Sequence, residues 1–185
     1  MRVIAGTARS MPLRTVKGMD VRPTTDRTKE TLFNILQTRV PGARFLDLFA
    51  GSGSIGIEAL SRGAETAYFV ERDRKTQQLI EENLVFTKLI GGAKILKGDV
   101  MQVLPRLEGE EPFDIIFMDP PFNHGLEKSA LELLSRLHLL AEDGVIVVEA
   151  SPKTDFSYLS EYGYRKIKER KYSMSQHIFL VRDNV

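Results

Sequence analysis

Acidic residues stand at the predicted carboxyl ends of three successive strands, and a glycine-rich turn follows the first of them. Asp47 opens the segment Asp47-Leu-Phe-Ala-Gly51-Ser-Gly53, which ends a buried strand pattern and leads into a helical one. Glu71 ends the second strand pattern, and Asp99 follows the third. Because the carboxyl ends of adjacent parallel strands line one crevice of an open α/β sheet, we expect the three carboxylates to converge there. The glycines let a ligand approach the backbone closely, and the helix start offers amide N–H groups.

Two cofactor classes compete for this turn. The spacing Gly-x-Gly-x-x-Gly that starts at Gly51 satisfies the dinucleotide fingerprint and would suit NAD. Asp47, however, stands where a pyrophosphate would lie, and a carboxylate there suits the cationic amino group of S-adenosylmethionine. Glu71 is placed to accept from ribose hydroxyls and Asp99 from the adenine amine, although Asp47 and Asp99 would also serve as helix caps. The predicted S-adenosylmethionine site consists of Asp47, Phe49, Ala50, Gly51, Gly53, Glu71, Arg72, Asp99 and Val100.

A second polar segment, Asp119-Pro-Pro-Phe122, ends the fourth predicted strand. Prolines supply no N–H, so a carboxylate followed by a proline carbonyl presents two hydrogen-bond acceptors and no backbone donor. An exocyclic NH₂ group has two donors to match, and two acceptors would localise its lone pair toward a methyl donor. Phe122 offers a face on which a flipped base can stack, whereas in isolation the segment would be a strand terminator. The predicted catalytic residues are Asp119, Pro120, Pro121 and Phe122.

These segments need a scaffold, and the middle of the chain alternates strand and helix patterns. The predicted strands are 44–49, 66–71, 93–97, 113–118 and 144–150, and the predicted helices are 55–62, 73–88, 100–107 and 126–140. Such alternation implies βαβ units with right-handed crossovers and a mostly parallel sheet. Segments 164–172 and 176–182 predict an antiparallel hairpin added to that sheet. A separate helical pattern covers residues 22–40.

Composition excludes several classes of protein. The chain has 185 residues, of which 42% are hydrophobic and 28% charged, so it is globular rather than disordered or fibrous. It has no cysteine, which excludes a disulfide scaffold, a thiolate metal site and a thiol nucleophile. No apolar run approaches the roughly 20 residues of a membrane span, and the N-terminus lacks the apolar core of a signal peptide. With no His-x-x-His spacing either, no metal site is predicted.

The charge is distributed unevenly along the chain. Residues 1–44 contain nine basic and three acidic residues, a charge of +6, whereas the whole chain carries +1. A basic extension on a mildly acidic body suits a polyanionic partner, although a solvated terminal segment would have the same composition. We therefore predict a basic N-terminal extension over residues 1–43 and one further domain over residues 44–185. The candidate residues for binding a polyanion, which would be RNA if the partner is a nucleic acid, are Arg2, Arg9, Arg14, Arg22 and Arg27.

Together these segments resemble a known family. The glycine-rich turn combined with Asp119-Pro-Pro-Phe122 is similar to class I S-adenosylmethionine-dependent amine methyltransferases. The segments Arg2-Val-Ile-Ala-Gly6, Arg22-Pro-Thr-Thr-Asp-Arg27 and Leu32-Phe-Asn-Ile-Leu36 narrow the resemblance to the RsmD family. The chain departs from the family's usual pattern at Ala8-Arg9-Ser10, where a second glycine is usual, and at Lys171-Tyr172-Ser173, where Tyr-Gly is usual.

The resemblance implies an activity and a fold. Members of the RsmD family transfer a methyl group from S-adenosylmethionine to the N2 amine of a guanine in 16S ribosomal RNA. The implied fold is a Rossmann-like, mostly parallel seven-stranded sheet with helices on both faces and an antiparallel C-terminal hairpin. The implied partner is 16S ribosomal RNA or the assembling small ribosomal subunit. We expect a cytoplasmic monomer that uses neither a membrane nor a metal.

Other functions share parts of this pattern. An N6-adenine methyltransferase acting on DNA or RNA would use the same two acceptors, so only the N-terminal resemblance argues against it. A protein glutamine methyltransferase would usually have Asn in place of Asp119. A non-catalytic RNA-binding module would not need the acids at Asp47, Glu71 and Asp99, and an NAD oxidoreductase would not place Asp47 beside its pyrophosphate.

Overall fold

The computed structural model describes residues 1–15 and 25–183. Within them a seven-stranded sheet forms the centre of the molecule. The strands are β1 (Arg44–Asp47), β2 (Thr66–Glu71), β3 (Ala93–Lys97), β4 (Phe113–Met118), β5 (Leu140–Ala150), β6 (Tyr164–Lys171) and β7 (Gln176–Arg182). The helices are α1 (Asp26–Leu36), α2 (Ser54–Ser61), α3 (Arg74–Phe86), α4 (Val100–Val103) and α5 (Leu126–Arg136). None of the described helices is long and apolar enough to cross a membrane.

The strands lie in the order β3-β2-β1-β4-β5-β7-β6. The first five strands of the chain run parallel to one another, and β7 pairs antiparallel with both β5 and β6. The predicted mostly parallel sheet with a C-terminal hairpin is therefore confirmed. Because β1 and β4 are neighbours, the glycine-rich turn after β1 and the Asp119 segment after β4 leave the sheet side by side.

Helices cover both faces of the sheet, and each face has its own apolar core. One core joins α1, α2 and α3 to the sheet through residues such as Phe33, Ile57 and Ile80. The other joins α4 and α5 to the opposite face through residues such as Val103 and Leu134. Strands buried on both faces are nearly continuously apolar, which is why β1, β2 and β4 were identifiable in the sequence.

The predicted helix over 126–140 is too long. Helix α5 ends at Arg136, and Leu137 already has an extended backbone, with φ −108° and ψ 145°. Leu139 accepts a hydrogen bond from the Phe113 amide at 2.7 Å, and Leu140 pairs with Phe113 at the start of β5. The leucine spacing that continues the helical pattern also fits a strand, so pairing with β4 decides the conformation. Strand β5 consequently begins earlier than the predicted residue 144.

The N-terminal extension packs into the α1–α3 core, with Val3 and Phe33 both fully buried there. Its attachment depends on one buried carboxylate on α2. Glu58 accepts hydrogen bonds from the amides of Ile4 (2.8 Å) and Ala5 (3.0 Å). The ammonium of Lys29 on α1 lies 3.4 Å from the same carboxylate, and burial lowers the pKa of Lys29. A single acid therefore joins the first residues, α1 and α2.

The start of α2 lies very close to the sheet. Gly56 is the third residue of α2, and a β-carbon added there would overlap the ring of Phe69 on β2. Only glycine allows the turn before α2 to lie this deep. The glycine therefore sets the distance between the helix and the sheet edge.

We predict that Gly56→Ala lowers the free energy of unfolding. Overpacking against a ring costs about 1–3 kcal/mol, which exceeds the roughly 0.5–1 kcal/mol that alanine contributes in a helix. Chemical denaturation measures the difference. Gly91→Ala is the matched control, because a β-carbon at Gly91 meets no atom within 4 Å. Equal stability of Gly56→Ala and the wild-type protein would contradict this packing.

Candidate active site

A cavity of about 1200 Å³ opens at the carboxyl ends of the parallel strands. It brings together most of the residues predicted from the sequence. Those that line it are Phe49, Gly51, Glu71, Arg72, Asp99 and Val100 from the predicted cofactor site, Asp119, Pro120, Pro121 and Phe122 from the predicted catalytic segment, and Arg27 from the extension. Asp47, Ala50 and Gly53 do not line it.

The glycine-rich turn adopts the backbone conformation that its glycines permit. Gly51 and Gly53 have φ of 52° and 78°, in the left-handed region that favours glycine. No atom lies within 4 Å of a β-carbon added at Gly51, so this side of the turn is open to the cavity. The amide of Asn83 on α3 fixes the turn from behind by donating to the carbonyl of Ser52 at 3.0 Å. The backbone of the turn is thus held in place without any ligand.

Glu71 is oriented by the turn that it faces. Its Oε2 accepts from the Gly51 amide at 3.1 Å, and its Oε1 accepts from the Asp73 amide at 2.9 Å. An ionised carboxylate has about four acceptor positions, so two remain for a ligand in the cavity. The carboxylate of Glu71 is therefore held in one orientation at the cavity and still has free acceptor positions, which is compatible with the ribose-binding role predicted for it.

Asp99 combines both of the roles considered for it. It is the N-cap of α4, where its side chain accepts from the Met101 amide at 2.9 Å, and it also lines the cavity. The neighbouring Val100 contributes an apolar wall. A capping contact uses only part of the carboxylate's acceptor capacity.

Asp47 lies behind the turn and not against the cavity, which differs from the direct contact expected of it. Its side chain is buried, and its Oδ1 has no hydrogen-bond partner among the described residues. It is not a helix cap either, because Gly53 holds that position at α2. Burial raises the pKa of Asp47 to about 7, although amide N–H groups of Gly56 and Phe49 favour the charged form. Sequence position could not reveal this orientation, since it depends on how the turn folds back over β1.

The Asp119 segment lines the cavity beside the glycine-rich turn, because β4 is the neighbour of β1. Burial raises the pKa of Asp119 well above its usual range, and the negative charges of Glu149 and Asp47 add to the effect. No hydrogen bond contributes to that shift, so the carboxylate of Asp119 retains its acceptor capacity for a ligand. Pro120 is buried, which holds it in place, whereas Phe122 is half-buried, so part of its ring stays accessible.

Three residues that were not predicted as site residues form a connected group that begins at the cavity. Glu149 at the end of β5 lines the cavity, and its Oε2 lies 3.0 Å from Nε2 of His177 on β7. The hydroxyl of Tyr172 lies 3.3 Å from Nδ1 of the same ring. The pairing of His177 with Glu149, 28 positions away, is not visible in the sequence. Among residues 1–15 and 25–183, no group of His, Asp and Glu side chains is placed to hold a metal ion.

The predicted RNA-binding arginines are dispersed. Arg27 lines the cavity, Arg9 is exposed, Arg2 pairs with Asp26 and Arg14 pairs with Glu82. Arg22 lies outside the described residues. The rim of the cavity gains further cations that the sequence did not single out, namely Arg170 and Lys171 at the end of β6.

We predict that Asp47 makes stability fall with rising pH. The pKa of Asp47 is about 7 in the folded protein and about 3.9 in an unfolded chain. Between these values only the folded state holds the proton, so the free energy of unfolding decreases as pH rises. Asp47→Asn should therefore be more stable than wild type at pH 8, by up to about 4 kcal/mol, and no more stable at pH 3. Urea unfolding at both pH values measures this, and a difference that does not change with pH would refute it.

Known proteins match almost the whole chain. The family model described as "Conserved hypothetical protein 95" matches residues 1–181. The chain is 40% identical over 150 residues to Ribosomal RNA small subunit methyltransferase D of Escherichia coli (strain K12). The matched region covers 81% of this chain and 74% of that protein. It is 34% identical over 171 residues to the protein of the same name from Haemophilus influenzae, which covers 92% of this chain and 88% of that protein.

Solved structures extend the similarity to the fold. The structure of yhhF from Escherichia coli has a TM-score of 0.84 at 35% identity and covers 99% of this chain and 98% of its own. A ribosomal protein L11 methylase from Lactobacillus delbrueckii subsp. bulgaricus has a TM-score of 0.63 at 20% identity, covering 85% of this chain and 80% of its own, and shows the fold alone. The family match, the identity to these relatives and the motifs around the cavity agree that the chain belongs to the RsmD family.

Proposed function

We propose that this protein transfers a methyl group from S-adenosylmethionine to the N2 amine of a guanine in 16S ribosomal RNA. The observation that carries the proposal is that one cavity is lined both by the glycine-rich turn with Glu71 and by Asp119-Pro-Pro-Phe122, with β1 lying between β2 and β4. The names of the Escherichia coli and Haemophilus influenzae relatives support ribosomal RNA of the small subunit as the substrate. An N6-adenine methyltransferase is the alternative for the same acceptor arrangement.

The residues of the cavity fit S-adenosylmethionine. The open side of Gly51 leaves space beside the backbone, and Glu71 retains acceptor positions toward the cavity for ribose hydroxyls. Asp99 would accept from the adenine amine and Val100 would contact the adenine face, since both residues line the cavity. Asp47 would act through the turn, because it is buried and does not line the cavity. When bound there, S-adenosylmethionine supplies an electrophilic methyl group on sulfur.

The Asp119 segment would orient the target amine. Asp119 and the Pro120 carbonyl would each accept one N–H of the amine, and Phe122 would hold the plane of the base by stacking. When S-adenosylmethionine is bound, the amine nitrogen would form the new N–C bond, the electron pair of the broken S–C bond would stay on the departing thioether, and the methylated amine would release one proton to solvent. No strong base is needed, so the residues contribute mainly by positioning, an effect worth roughly 7–11 kcal/mol in favourable cases.

The basic rim would hold the RNA backbone. Arg27, Arg72, Arg170 and Lys171 line the cavity and are exposed. Phosphates bound to them would place the RNA so that one base enters between Phe122 and the cofactor site. We further propose that the protein works as a monomer in the cytoplasm, on 16S RNA or the assembling small subunit.

Nucleoside analysis by mass spectrometry tests the function. We expect small-subunit RNA from cells lacking the gene to lack one N2-methylguanosine, and the purified protein to restore it. Asp119→Ala should abolish transfer but bind S-adenosylmethionine like wild type, because it lies on the base side of the cavity. Glu71→Ala should bind the cofactor at least about tenfold more weakly, since each charge-assisted hydrogen bond is worth roughly 1.5–3 kcal/mol. Calorimetry measures the two affinities.

Two results would contradict this assignment. Recovery of N6-methyladenosine as the sole product would replace guanine by adenine as the target. Unchanged cofactor affinity in a folded Glu71→Ala variant would remove the cofactor from this wall of the cavity.

We predict that Arg27 contacts a phosphate. Arg27→Ala should reduce the slope of log affinity for RNA against log salt concentration by about 1, because one fewer counterion is released. Fluorescence anisotropy across a salt series measures the slope. Arg39→Ala is the control, since Arg39 does not line the cavity and donates a hydrogen bond to the carbonyl of Asp143. If both variants keep the wild-type slope, Arg27 only packs at the rim.

A further inference from the structure

Glu149 and Asp119 lie next to each other at the carboxyl edge of the sheet. Strands β4 and β5 are in parallel register up to the pair Met118 and Val148, and the next residue along the chain after each is one of these two acids. Both side chains line the cavity, and the charge of Glu149 raises the pKa of Asp119. The base side of the cavity therefore contains two adjacent carboxylates.

His177 fixes Glu149 in this position. The two residues are register partners on β5 and β7, and the imidazole Nε2 lies 3.0 Å from Oε2 of Glu149. The imidazole is fully buried, is held at Nδ1 by Tyr172, and meets the edges of the Phe117 and Phe179 rings. A ring enclosed in this way cannot turn without breaking several contacts.

One oxygen of Glu149 remains available to a ligand. Oε2 contacts His177. Oε1 makes no hydrogen bond to any residue in the described part of the chain, and it is not one of the fully buried side-chain atoms there that lack a partner. Because Glu149 lines the cavity, Oε1 is an acceptor beside the carboxylate proposed to hold the amine.

Purines differ in the group that lies next to the reactive amine. In guanine the N2 amine is adjacent to N1–H, a donor, whereas in adenine the N6 amine is adjacent to an unprotonated N1, an acceptor. We propose that Glu149 selects guanine by accepting its N1–H at Oε1 while Asp119 holds the N2 amine, and that His177 is the positioning residue that aims Glu149. This inference rests on the proposed guanine methyltransferase function.

The same arrangement would reject adenine. The lone pair of adenine N1 would face a carboxylate oxygen and find no donor, so both acceptors would be left unpaired. A site built to hydrogen-bond one group rejects an analogue that lacks it strongly, because its own buried polar atoms lose their partner. Discrimination would therefore come from Glu149 rather than from Asp119, which either amine would satisfy.

2-Aminopurine tests this contact because it retains the 2-amine but has an acceptor at N1. We would use two synthetic RNA stem-loops, one with guanine and one with 2-aminopurine at the nucleotide methylated in small-subunit RNA. Wild type should favour guanine by at least about 100-fold in kcat/KM. Glu149→Gln offers an amide N–H to N1, so its preference should fall at least about tenfold. Comparing the two enzymes cancels any intrinsic difference between the amines.

Control variants separate selection from a general structural effect. Glu142→Gln makes the same change at an exposed position of the same strand, and it should keep the wild-type preference. His177→Phe should lose part of the preference, whereas His177→Gln, which still offers an N–H to Glu149, should retain it. Thermal unfolding and cofactor binding verify that each variant is folded. If Glu149→Gln transfers too slowly for a rate, the affinities for the two RNAs provide the same comparison.

The outcomes distinguish this inference from the function on which it rests. If wild type methylates guanine and Glu149→Gln still rejects 2-aminopurine as strongly as wild type does, Glu149 is not the selecting residue and only the inference fails. If wild type methylates adenine and not guanine, the proposed function itself fails, and the inference fails with it.

Discussion

The parallel register of β2, β1, β4 and β5 is the constraint on which the rest of the structure depends. Strands in parallel register end at the same edge, so whatever follows each of them in sequence must share one space. Asp47 and Phe117 are register partners, which places Asp119 two residues beyond Asp47 on the neighbouring strand. The segments that seem remote in the chain are therefore adjacent, and the cavity is a direct result of the strand order.

Crowding several acids at one edge has an energetic cost. Burial disfavours the charged form of Asp47 and of Asp119. The negative charge of a neighbouring carboxylate disfavours both charged forms further. The fold limits the cost by giving partners to some of these groups, such as amide N–H groups for Glu71 and His177 for Glu149. Asp119 is left without such a partner and lines the cavity, where a ligand with N–H groups would satisfy it.

Much of the fold follows from local sequence pattern. Apolar strand segments and amphipathic helices are recognisable because each repeats over several residues, and the glycine-rich turn and Asp119-Pro-Pro-Phe122 mark two strand ends. The end of α5 was misjudged because the leucines near Leu137 fit both periods, and only pairing with Phe113 decides between them. The Glu149–His177 contact was missed for a related reason, since it requires the pairing of β5 with β7.

The N-terminal extension contains two kinds of charged residue: one that is buried where the extension attaches to α2, and others that are exposed to solvent. Dissolved ions screen exposed charges strongly and buried pairs much less. Lys29 and Glu58 are fully buried, whereas Arg9 and Arg27 are exposed. Concentrated salt would therefore weaken the hold of exposed arginines on a nucleic acid while the extension itself stays folded against α2. Ionic strength thus gives a means of detaching a bound polyanion from an intact protein.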